Sequence, residues 1–94
     1  MVELLQDKLD ISEMDILSET KEIIAAVLRI SVEQLDEKAE MTDIKGWDSI
    51  RNVMILAQLE AHFDVVFPSE DIFDMTSVKA IAEEIEKLIN ELGS

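Results

Sequence analysis

Gly46-Trp47-Asp48-Ser49-Ile50 ends an irregular acidic stretch and opens a strongly apolar segment. An aspartate followed by a run of helix-compatible apolar residues is a helix start, with the carboxylate capping the free N–H groups of the first turn. The pattern predicts a helix from Ser49 to about Phe63, with Asp48 as its N-cap. That places one serine hydroxyl at a helix N-terminus. Elsewhere the chain has little chemistry: no Cys, no Tyr, one His and no Gly-rich phosphate loop. So few reactive groups suit a protein that carries a group rather than one that transforms it.

Outward from that helix, residues 36–47 lack clean periodicity and read as the longest loop, containing Thr42, Asp43 and Gly46. Further upstream, a helix is predicted from about Leu17 to Ile30, with Ser18 as its cap and Ile24, Val27 and Leu28 on one face. Ser31-Val-Glu-Gln34 has capping-box spacing and predicts a short helical turn. Downstream, Phe67-Pro68-Ser69 breaks the chain. Ser69 then caps a very short helix over Glu70 to Phe73, and Thr76 or Ser77 caps a last helix to about Leu92. Ile81, Ile85, Leu88 and Leu92 form its apolar stripe. Residues 1–16 are read as an N-terminal extension, with Leu4, Leu5 and Leu9 able to line a short helix, and residues 17–94 as the main domain. No strand pattern or repeat is present. The fold class is therefore all-α: a small bundle of three main helices and one short helix.

Ninety-four residues suit one domain with one modest core. Hydrophobic residues make up 48% of the chain, which argues against disorder. The net charge of −14 repels nucleic acid and anionic membranes and attracts basic protein patches. Without cysteine, disulfides and thiolate metal sites are excluded, and thiol chemistry requires an added group. No basic segment followed by an apolar run marks a signal peptide, and the longest apolar run, Ile23 to Leu28, is far too short for a bilayer. These features predict a cytoplasmic monomer. The loop from Asp36 to Asp48 lacks calcium-loop spacing, so no metal site is expected.

The second helix is apolar on more sides than a small bundle needs. Val53, Leu56, Leu59 and Phe63 make a core face at helical spacing. Ile50, Met54, Ala57 and Ala61 make another stripe, which either packs on the long loop or stays exposed for a partner.

These segments together resemble the acyl carrier protein family over roughly residues 18–92. Gly46-Trp-Asp-Ser-Ile50 looks like the family's Asp-Ser-Leu attachment motif. Leu59-Glu-Ala-His-Phe-Asp64 and Val66-Phe-Pro68 look like the end of its second helix and the turn after it, and Thr76-Ser-Val78 like the start of its last helix. The resemblance implies an acyl-carrier-like bundle in which Ser49 accepts 4′-phosphopantetheine from coenzyme A through a separate transferase. The arm's thiol then carries an acyl group as a thioester. Asp48 matches the acidic residue of the motif and would aid recognition by the transferase. Asp48 also favours an acyl over a peptidyl carrier.

Departures from the family pattern shape further expectations. Ile50 stands where Leu is usual. Trp47 is bulky beside the site and either packs as a lid on the loop or contacts a partner. The partner face reads Ile50, Arg51, Met54, Ala57 and Ala61 with little acid, which predicts acyl-transferring or condensing partners with basic and apolar docking patches. It also tilts the reading towards a specialised polyketide or lipid-type pathway over primary fatty acid synthesis. A carried chain is either solvent-exposed or tucked among Val53, Leu56, Leu59, Ile72 and Ile81. The start at Met1 and the end soon after the last helix suggest a stand-alone carrier.

Two rivals remain in view. A hydrolase using Ser49 and His62 fails on geometry: thirteen residues along one helix separate them by about 20 Å. An unmodified acidic helical adaptor for a basic partner shares the fold but needs no hydroxyl on Ser49.

Overall fold

The computed structural model of the chain describes residues 13–92. In order along the chain they form α1 (Glu13–Leu28), 3-10 turns at Val32–Gln34 and Met41–Asp43, α2 (Ser49–Phe63), the short α3 (Ser69–Ile72) and α4 (Val78–Leu92). α1 packs against both α2 and α4. The fold is the expected small helical bundle. The short helix expected around Leu4, Leu5 and Leu9 lies outside the described residues.

α1 begins at Glu13, ahead of the Leu17 start expected from sequence, and Ser18 is an exposed residue inside it rather than its cap. The reason is Ile16. It is buried and lies four residues before Thr20 and eight before Ile24, both fully buried, so the inward stripe starts one turn earlier. The helix ends in a Schellman motif: Arg29 takes φ +60, and the Ile30 N–H reaches back to the Ala25 carbonyl at 3.0 Å. α2 ends the same way. Asp64 takes φ +56, and the Val65 N–H bonds to the Glu60 carbonyl at 3.1 Å. In both, the next residue, Ile30 or Val65, folds onto the core, as this motif commonly requires.

The Ser31–Gln34 capping box forms as its spacing predicted, with Gln34 Oε1 accepting from the Ser31 N–H at 3.0 Å. The segment from 36 to 47 is more ordered than its sequence suggests. Leu35, Ala39 and Trp47 are buried, and Met41 and Ile44 pack beside them. The segment is tied to the start of α4: the Met41 N–H donates to the Thr76 carbonyl at 2.7 Å, and the Val78 N–H to the Ala39 carbonyl at 3.0 Å. These bonds flank an isolated antiparallel bridge between Glu40 and Ser77. Such long-range pairing leaves no local periodicity to read.

Ser77 caps α4 through its hydroxyl, which accepts from the Ala80 N–H at 3.1 Å. α3 has no such cap. Pro68 holds the N-cap position with φ −61, and Ser69 is the first helical residue, one place later than the cap expected of it.

The core joins Ile16, Ile24, Ile55, Leu59, Val78, Ile81 and Ile85, all essentially inaccessible. α2 contributes Asn52, Ile55, Leu56 and Leu59. Its inward face is thus rotated from the expected one: Ile55 points in, while Val53 is 65% exposed.

Candidate functional site

The loop before α2 turns on Gly46, whose φ of +92 would strain any other residue, and the Trp47 N–H closes the turn on the Ile44 carbonyl at 3.1 Å. Asp48 then takes an extended conformation as the N-cap. Its Oδ1 accepts from the Arg51 N–H at 2.9 Å, and its Oδ2 from Arg51 Nη1 at 3.2 Å. The backbone hydrogen bond, aided by the Arg51 guanidinium, holds the Asp48 carboxyl below the usual aspartate range. Ser49 follows as the first residue of α2, exposed to solvent.

This arrangement fits a phosphodiester on Ser49. A helix N-terminus presents outward N–H groups and the positive end of the dipole to an anion. The Asp48 carboxylate would oppose that charge, and the exposed Arg51 guanidinium at 3.2 Å offsets part of it.

Downstream of Ser49, Ile50 (73% exposed), Val53, Met54, Ala57 and Ala61 all lie on the exposed surface of α2. Of the two readings for the Ile50–Ala61 stripe, packing under the long loop is therefore not what the fold does. Arg51 is exposed beside it. Trp47 is 3% exposed, so the ring is part of the core and does not offer itself to a partner. Its Nε1–H donates to Asn52 Oδ1 at 2.9 Å, and Asn52 Nδ2–H donates to the Met75 carbonyl at 3.2 Å. Asn52 was not singled out from sequence. The available signal was an amide in the first turn of an otherwise apolar helix face, three residues after Ser49.

Of the residues expected to line an acyl pocket, four meet in the core and Val53 stands apart. Leu56, Leu59 and Ile81 are packed in the core, Ile72 is half-buried at its edge, and Val53 faces solvent. His62 sits at the far end of α2 and pairs with Glu19 of α1, away from Ser49. Glu60 turns back to accept the Phe67 N–H at 2.8 Å, so the remaining acid of α2 holds the turn after the helix. Among the described residues, no three His, Cys, Asp or Glu side chains are grouped as metal ligands. No helix among them is long and apolar enough to cross a membrane.

Ser49 thus opens the second helix of an acidic bundle, exposed and directly after the Asp48 cap. A family model described as a phosphopantetheine attachment site matches residues 18–85, well over half of the chain. The chain belongs to that family. It is 28% identical over 76 residues to the acyl carrier protein of Chlorobium phaeobacteroides, covering 81% of this chain and 97% of that protein. The acyl carrier protein of Chlorobium phaeovibrioides matches to the same extent. A non-reducing polyketide synthase, pks11 of Talaromyces marneffei, is 25% identical over 75 residues, 80% of this chain. The chain spans only 3% of that synthase's length. As a member of the phosphopantetheine attachment family, the chain is a carrier module whose cofactor is covalent 4′-phosphopantetheine.

Proposed function

We propose that Ser49 is the attachment residue and that the protein is an acyl carrier serving a specialised, polyketide or lipid-type pathway. The observation that carries the attachment is Ser49 itself: exposed, first in α2, and fixed by the Asp48 cap with its Arg51 counter-charge. The Ser49 oxygen attacks the phosphoryl group of coenzyme A that bears pantetheine. The new P–O bond forms as the pyrophosphate bond breaks, the adenosine bisphosphate leaves, and a base of the transferase takes the serine proton. The arm's thiol then exchanges acyl groups as thioesters with acyl-transferring and condensing enzymes. Asp48 serves as cap and as a recognition point for the transferase. The setting is the cytoplasm and the working form a monomer.

The test is incubation with coenzyme A and a broad-specificity phosphopantetheinyl transferase, followed by intact and peptide mass. One phosphopantetheine on the peptide containing Ser49, absent from Ser49→Ala, is expected. No gain with several transferases, while a known carrier is modified in parallel, would leave an unmodified acidic adaptor.

The specialised reading rests on the exposed Ile50, Val53 and Met54 beside the attachment point. Partners then meet α2 through apolar contact, with the acidic remainder of the surface drawing a basic rim. Met54→Glu should reduce loading by the cognate partner about tenfold, because an unpaired carboxylate would be desolvated at the contact. Loading equal to the parent's would remove the support for an apolar docking face.

A further inference from the structure

Two buried side chains with hydrogen-bonding groups flank Ser49 in sequence, and the cap and docking face account for neither of them. Trp47 and Asn52 are 3% and 7% exposed. The indole Nε1–H donates to Asn52 Oδ1 and the Asn52 amide donates to the Met75 carbonyl, at 2.9 and 3.2 Å. The two bonds use both ends of one amide to join three segments: the loop that delivers Ser49, the first turn of α2, and the turn after α3. That last turn is itself closed by the Met75 N–H on the Ile72 carbonyl at 3.1 Å. Burying an amide is costly unless its bonds are made, so the relay has one low-energy geometry and resists displacement.

Resting on the carrier reading of Ser49, we propose that Asn52 is a positioning residue for the attachment reaction. It touches no reacting atom. It fixes the rotation of the first turn of α2 against the loop through Trp47 and against the α3–α4 turn through Met75. The Ser49 oxygen is thereby held in one orientation when a transferase closes on it. A leucine at 52 would keep the branched shape, in a larger volume, and would suit the helix, but it would free the loop and first turn to shift relative to each other.

Asn52→Leu and Trp47→Phe are compared with the parent at a temperature where circular dichroism shows each variant fully folded. The transferase reaction is followed at saturating coenzyme A with varied carrier. For Asn52→Leu, kcat should fall about tenfold with KM for the carrier unchanged, since misorientation acts on the bound complex while the exposed Ile50 and Met54 still dock. The Trp47 indole N–H resonance should move and lose its protection from hydrogen exchange. Should Asn52→Leu not fold, Trp47→Phe decides by the same kinetics, because it removes only the first bond of the relay. A kcat within about twofold of the parent's in the folded variant overturns the proposal while leaving the carrier reading standing. A parent that no transferase modifies overturns both.

Discussion

Around Ser49, Asp48 holds the first turn of α2 from outside through the Arg51 N–H, and Asn52 holds it from inside through Trp47 and Met75. Asp48 before an apolar run is a local signal, and the cap formed as expected because capping involves only neighbours three residues apart. The rotation of α2 was not legible, since apolar residues at 50, 53, 54, 55, 56, 57 and 59 fit several faces equally well. The choice was made by Asn52, a polar residue drawn inward by partners at Trp47 and Met75, the latter twenty-three positions away. Trp47 is inward because its large ring buries apolar area, with its Nε1–H satisfied by Asn52. The opposite case is Thr20. Its side chain is fully buried in α1, and its Oγ1 has no hydrogen-bond partner. Leaving a hydroxyl buried and unbonded costs more than replacing it with a methyl group of the same shape. Thr20→Val should therefore stabilise the protein by about 1 kcal/mol in urea titrations. A variant no more stable than the parent would show that the hydroxyl finds a partner in solution.

Among the described residues, the helices were readable in number and type, but their ends were set by tertiary contacts. α1 reaches back to Glu13 because Ile16 completes its buried stripe, and its far end is a left-handed Arg29 where glycine is the usual choice. The backbone conformation there is costly for a residue with a Cβ. Arg29→Gly should relieve that strain and stabilise by about 0.5 kcal/mol, net of the greater freedom glycine gives the unfolded chain. Loss of stability instead would mean that the arginine side chain contributes more than its backbone costs. α3 and α4 meet through a different conflict. Burial, then the negative charge of Asp71 and a hydrogen bond to its carboxyl, pushes the Glu84 carboxyl above its usual range, with Lys87 opposing and Glu91 adding to the effect. A raised carboxyl value means the folded state binds that proton more tightly than the unfolded chain. The contribution to stability is present below the ordinary value of 4.5 and is lost as pH rises through the elevated one. Glu84→Gln should accordingly raise Tm by a few degrees at pH 7, with the gain vanishing below about pH 4. An equal gain at both pH values would assign the effect to packing instead.

Over the whole molecule, charge is the dominant unbalanced force. Twenty-two acidic residues face eight basic ones, and the net charge of −14 is carried by a core of modest size. Two ion pairs among the described residues are weak ones: Arg51 with Asp48 is exposed, and His62 with Glu19 is half-exposed. Burial on α1, α2 and α4 must hold against repulsion spread over the entire surface. Repulsion of this kind is long-ranged and yields to simple ions, because the screening length shortens from about 30 Å at 0.01 M to about 10 Å at 0.1 M salt. Tm should therefore rise by several degrees as NaCl is increased from 0.01 to about 0.5 M. KCl should act as well as NaCl, since screening depends on ionic strength and not on a fitted cation site. The Glu84→Gln variant, with one fewer charge, should show a slightly shallower rise. A Tm indifferent to salt would mean that the folded and unfolded chains repel themselves equally. On the docking face proposed above, the same field would draw a basic-rimmed partner in from a distance, while the exposed, uncharged Ile50, Val53 and Met54 beside Ser49 would decide which partner stays. Salt should then slow association with a partner while leaving its dissociation nearly unchanged, a separation that stopped-flow binding at two ionic strengths reads directly.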